Sequence, residues 1–207
     1  MSPFDIGFVI IVIIFSAVIH ELMHGVAADR LGDPTARYAG RLTVNPLKHI
    51  ELFGSIILPI LSSFTGFFFG WAKPVPYNPY NFNKLIRWAE AIVAFAGPAS
   101  NLVIAGLAGV VYRAGVSAEL APLVMYIIAI NCSLFILNML PIPPLDGSKI
   151  LASILPHGPL ADAYDRFRAL FEQNFALGLI LVLVLINVFG GIYGSAVFGL
   201  AGIIAGI

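Results

Sequence analysis

Five long apolar runs alternate with polar connections along the chain: Phe4 to about Ala28, Leu52 to Trp71, Ala89 to Tyr112, Ala121 to Leu140, and Phe175 to Ile207. A helix needs about 20 predominantly apolar residues to cross the hydrocarbon core of a bilayer. The first four runs have about that length. The fifth is too long for one simple span, and Asn187 and Gly190-Gly191 interrupt it. It leaves two readings open, a single span or one span plus a second, shallower piece. The connection from Ala28 to Glu51 holds Arg30, Arg37, Arg41 and Lys48, with Gly32-Asp33-Pro34 as a turn signal. Within it, Tyr38 to Val44 reads as a short β element. Pro74, Pro76 and Pro79 deny helix to the stretch from Trp71 to Pro79, which reads as an extended loop. The pattern predicts an all-α polytopic membrane protein with about four to six membrane helices, built as one domain over residues 1–207.

Composition sharpens this picture. Apolar residues make up 59% of the chain and charged residues 11%, against roughly 25% charged in soluble domains. The formal net charge is zero, so nothing in the composition points to a nucleic-acid partner. Cys132 is the only cysteine, which excludes an internal disulfide. The first apolar run lacks a basic leader segment and carries His-Glu near its end, so it is expected to be a retained helix.

The candidate chemistry sits at the end of that first run. His20-Glu21-Leu22-Met23-His24 matches the H-E-x-x-H pattern. On a helix, residues four apart share a face, so both imidazoles can reach one zinc ion. Glu21 lies beside that face, where it can accept a proton from the attacking water. Ionisable groups at membrane depth are costly to bury, which weighs against two ordinary core histidines. A catalytic zinc usually takes three protein ligands. His49 and His157 qualify by type but lie in polar connections. Asp146 is better placed, at the end of Asn138-Met-Leu-Pro-Ile-Pro-Pro-Leu-Asp-Gly147. Three prolines there unwind the chain, and non-helical backbone at membrane depth survives only inside protein or beside a water-filled cavity. In isolation Asp146-Gly147 would read as a plain turn; beside H-E-x-x-H the ligand reading is stronger.

With these residues in hand, the sequence resembles the site-2 protease family of intramembrane zinc metalloproteases. The resemblance rests on His20 to His24, on Gly97-Pro-Ala-Ser-Asn101 in the third run, and on Asn138 to Gly147. Gly70-Trp-Ala-Lys-Pro-Val-Pro76 resembles a segment of compact prokaryotic members, and no PDZ-sized insertion separates the runs. The resemblance implies one zinc per chain on His20, His24 and Asp146, with Glu21 as base. It also implies that Asn138 stabilises the oxyanion or holds the substrate strand. Gly97-Pro98 is expected to kink the third run. Asn101 then either contacts substrate near the zinc or packs between helices.

The basic residues bear on topology. If all four early runs crossed, Asp146 would emerge a bilayer's thickness from His24. If Leu52 to Trp71 instead enters and leaves on one side, ten of the 11 Lys and Arg residues share a face and only Arg113 lies opposite. That is the bias expected of a cytoplasmic face. Gly54, Pro59, Ser62-Ser63 and Gly66 also suit a re-entrant element. The expected protein is therefore a multi-pass enzyme of a prokaryotic cell membrane, with its active site towards the cytoplasm. Its partners are the bilayer and a transmembrane helix of a substrate, unwound so that its amides become accessible. An edge strand between Tyr38 and Val44 could hold that segment by strand addition. A transporter is the rival class, because intramembrane His and Asp also serve relays. It would need polar residues across the whole bilayer, and the third and fourth runs hold few. An inactive relative that only binds helices is disfavoured by the intact His20, Glu21, His24 and Asp146.

Overall fold

The structure is a computed structural model that describes residues 2–51, 57, 73–83 and 88–207. The re-entrant element expected over 52–71 lies outside the described residues, apart from Ile57. The described chain is all-helical: α1 (Pro3–Arg30), α2 (Thr35–Tyr38), α3 (Ala89–Arg113), α4 (Ala121–Asn138), α5 (Asp146–Ile154), α6 (Pro159–Gln173) and α7 (Phe175–Ala205). Two 3-10 turns cover Pro46–Lys48 and Pro79–Asn81. Among the described residues, four helices are long and apolar enough to cross a membrane: α1, α3, α4 and residues Ile180–Ala205 of α7. The chain forms two compact units, Met1–Ala89 and Glu90–Ile207.

In the first unit, α1 starts where the sequence supplies a complete cap. The Ser2 hydroxyl accepts from the Asp5 amide at 3.1 Å, the Ser2 amide donates to the Asp5 carboxylate at 2.7 Å, and Pro3 fills the first helical position. The helix runs 28 residues, about 42 Å at 1.5 Å per residue. Beyond its end, Asp33 is fully buried and gathers donors from distant chain. Its carboxylate accepts from the Thr35 amide and hydroxyl, from the Asn78 amide at 2.6 Å and from Asn81 Nδ2 at 2.7 Å. The Asn83 amide also donates to the Leu31 carbonyl at 2.9 Å. Residues 78–83 are thus strapped to the end of α1.

Burial alone would push the Asp33 carboxyl upward, but the donors of Thr35, Asn81 and Asn78 outweigh it and hold the group below the usual carboxylate range. A carboxyl with a depressed folded pKa stabilises the fold above its unfolded value, about 3.9. That contribution is lost as pH falls through the folded value. Wild type should therefore melt above Asp33→Asn at neutral pH, and the gap should narrow below about pH 4. A gap independent of pH in thermal melts would detach the effect from the carboxylate charge.

The expected β element at 38–44 does not form. Tyr38 closes α2, Gly40 adopts a left-handed φ of 64°, and the Arg41 amide turns back to the Ala36 carbonyl at 3.0 Å. The Thr43 amide then donates to the Arg41 carbonyl. The amides of residues 38–41 and 43 all donate to carbonyls no more than five residues back, so the stretch is turn rather than extended strand. Tyr38 and Val44 are exposed.

In the second unit, Ala105, Ile128, Cys132, Val197, Ala201 and Ala205 form a buried core between α3, α4 and α7. Close approach requires Gly109, where an added Cβ would lie 2.5 Å from the Ile204 side chain. Asn101 and Asn131 are fully buried and face each other, with Asn101 Nδ2 donating to Asn131 Oδ1 at 3.0 Å. A bonded amide at that depth is of the kind that joins membrane helices. Helix α3 continues through the buried Pro98. Helix α7 is continuous, and Asn187, Gly190 and Gly191 lie inside it. Breaking it would strand backbone groups in an apolar medium, which costs more than glycine's weak helix propensity.

Candidate metal centre

His20, Glu21 and His24 lie in the second half of α1. Both imidazoles are buried, and their Nε2 atoms lie 3.1 Å apart with the rings nearly perpendicular at 85°. Two nitrogens each about 2.0–2.1 Å from a tetrahedral ion stand about 3.3 Å from one another. The helix alone therefore presents two ring nitrogens at the separation a zinc ion requires. Gly25, next along, lets the chain come close: a Cβ there would lie 2.8 Å from both the Leu42 and the Val75 side chains.

Glu21 is half-buried, and one carboxylate oxygen is held. The Val75 amide donates to Glu21 Oε2 at 2.9 Å. The sequence pointed to the Lys73-Pro74-Val75-Pro76 stretch as a loop that excludes helix and as part of a family-like segment, with no role towards Glu21. Its proline spacing carried a further signal, since Val75 has the only amide N–H among residues 74–76.

His49, weighed as a ligand by residue type, is buried with Nε2 2.9 Å from the Thr43 carbonyl oxygen. His157 is exposed on the connection after α5.

In the second unit, α4 ends at Asn138, and the proline-rich stretch turns through the Ile142 and Leu145 amides, which donate to the Leu140 and Ile142 carbonyls. Asp146 then opens α5, buried, with Lys149 Nζ at 3.7 Å. The aspartate is thus the first residue of a new helix rather than part of a plain turn. Gly147 explains the packing there, because a Cβ would lie 2.4 Å from the backbone oxygens of both Met139 and Leu140. Asn138 is half-buried, with Nδ2 donating to the Leu134 carbonyl at 2.9 Å. A primary amide has a second N–H to offer.

Against known proteins, the model of "Peptidase family M50" matches residues 8–118 and 110–181, taking in both units. The chain belongs to peptidase family M50, the site-2 protease family. It is 37% identical over 188 residues to YwhC of Bacillus subtilis (strain 168), named as a candidate zinc metalloprotease, covering 86% of this chain and 79% of that protein. Two proteins named Rip2, described in the same way, are also similar. The one from Mycolicibacterium smegmatis is 33% identical over 69% of this chain and 56% of its own length. The one from Mycobacterium tuberculosis H37Rv is 31% identical over 89% of this chain and 69% of its own length. No solved structure matches the chain.

This M50 peptidase is a membrane zinc metalloprotease. The buried imidazole pair fits the ion on donor chemistry, since neutral imidazole nitrogen is a favoured zinc ligand.

Proposed function

We propose that this M50 peptidase hydrolyses peptide bonds in or near transmembrane segments of membrane proteins, with zinc on His20, His24 and Asp146, Glu21 as general base and Asn138 as oxyanion donor. The placement of the histidine pair supports this reading most. His20 and His24 lie 17 and 21 residues after Pro3 in a spanning helix, about 25–32 Å along its axis. The hydrocarbon core is about 30 Å thick, so the pair belongs near one membrane face. Asp146 contributes a buried carboxylate, a third donor of suitable type.

Zinc, when bound, polarises the scissile carbonyl and acidifies the attacking water. Glu21 Oε2 is fixed by the Val75 amide, and Oε1 accepts the water proton. The same carboxyl then delivers that proton to the leaving amine. Asn138 directs its second N–H to the oxygen that gains charge. Asn138→Ala should lower turnover on the order of a hundredfold or more, with zinc content unchanged. Wild-type turnover in Asn138→Ala would reduce the residue to helix capping.

The enzyme resides in a prokaryotic cell membrane with this site towards the cytoplasm, a reading supported by its bacterial relatives and by the ten-to-one distribution of basic residues that a re-entrant 52–71 run would give. The direct test reconstitutes purified protein in vesicles with tagged single-span substrates and maps the cuts by mass. Cuts inside or within a few residues of the span support the proposal. Equal turnover of soluble unstructured peptides would sink it.

A further inference from the structure

The loop that holds Glu21 is itself held by one buried cation. Arg41 is 7% exposed, and its Nη2 donates to the Lys73 carbonyl at 2.6 Å and lies 3.4 Å from the Pro74 carbonyl. The Lys73 amide donates to the His49 carbonyl at 2.8 Å. Five residues on, Asn78 is tied to Asp33. Between these anchors stands Val75, whose side chain is buried and whose amide grips Glu21 Oε2. Pro74 and Pro76 offer no alternative donor, so the carboxylate's grip depends on where this one peptide unit sits. Arg41 fixes the two carbonyls immediately before it.

We propose that Arg41 is a positioning residue for proton transfer, acting through the Lys73 and Pro74 carbonyls on the Val75 amide and through that amide on Glu21. The proposal rests on Glu21 being the base. Without the guanidinium, two carbonyls lose a charged donor. The Val75 peptide drifts, and the carboxylate samples rotamers that point away from the water. A displacement near 1 Å is enough to cost on the order of a hundredfold in rate. A role confined to holding the base places the loss on kcat and leaves KM unchanged.

The test uses the full chain in detergent or vesicles, with Arg41→Ala, the similar-length Arg41→Met, and Arg41→Lys, which retains one charged donor. Cleavage of a tagged single-span protein gives kcat and KM, metal analysis gives zinc content, and hydrogen exchange reads the Val75 amide. The expected result is a kcat lower by about ten- to a hundredfold in Arg41→Ala and Arg41→Met, with KM within about twofold of wild type, zinc retained and partial recovery in Arg41→Lys. The Val75 amide should lose protection while Asn78 and Asn83 keep theirs. Wild-type kcat in both truncations would overturn the proposal, as would a kcat loss with Val75 still protected. Zinc loss together with exchange throughout α1 would also overturn it, by making Arg41 a fold residue. Glu21→Gln, run in parallel, separates the two readings: full activity there strikes the base assignment, whereas an inactive Glu21→Gln beside an unaffected Arg41→Ala strikes only Arg41.

Discussion

Purified Glu21→Gln should keep its zinc and lose proteolysis by between about a hundredfold and ten-thousandfold, the range a positioned general base supplies. The glutamine preserves side-chain length and can still accept the Val75 amide through its carbonyl oxygen, so the loop should keep its place. His20 and His24 are untouched, and their Nε2 pair needs nothing from Glu21. What disappears is the proton acceptor. The measurement is cleavage of a single-span substrate at matched zinc content, beside wild type. Turnover within about tenfold of wild type would mean that another group takes the proton, and the role of Glu21 would have to be reassigned.

The sequence made the spans legible because their signal is local and repeated. The run from Phe4 to Ala28 became α1, Pro3–Arg30, and the run from Ala121 to Leu140 became α4, Ala121–Asn138. The histidine pair was legible for the same reason, since a four-residue spacing on a helix has one geometric consequence. Helices α5 and α6 were not anticipated. They are 9 and 15 residues long, too short to register as spans, and prolines at 141, 143, 144 and 156 made the region look like connection. A Gly-Pro start at 158–159 and the spacing of Tyr164, Phe167 and Phe171 were the available signals. Gly190-Gly191 misled in the opposite direction, because glycine breaks helices more readily in water than in lipid. The contacts of Arg41 were beyond sequence reasoning altogether. The bonded residues are 32 and 33 positions apart, and no periodicity records which carbonyls a buried guanidinium will cap. The Asn101–Asn131 pair, 30 residues apart, was hidden likewise.

Zinc content should fall from about one per chain to a small fraction in His24→Ala and in Asp146→Ala alike. A catalytic zinc site has three protein ligands and an open position, so removing one leaves two. The two variants probe different parts of the chain, which makes agreement between them informative. His24 is placed by helical spacing alone. Asp146 is placed by the packing of the start of α5, where Gly147 sits too close to the Met139 and Leu140 carbonyls to admit a methyl group. Gly147→Ala therefore offers a third arm that leaves His20, His24 and Asp146 themselves unchanged. The added Cβ forces α5 to shift, at a cost of roughly 1–3 kcal/mol for an overpacked contact, and carries Asp146 with it. Zinc affinity should drop in Gly147→Ala, whereas exposed His157→Ala should hold the metal as wild type does. Metal analysis after gel filtration reads all four variants. Full retention in Asp146→Ala would remove Asp146 from the ligand set, while loss in His24→Ala would still place the ion on α1.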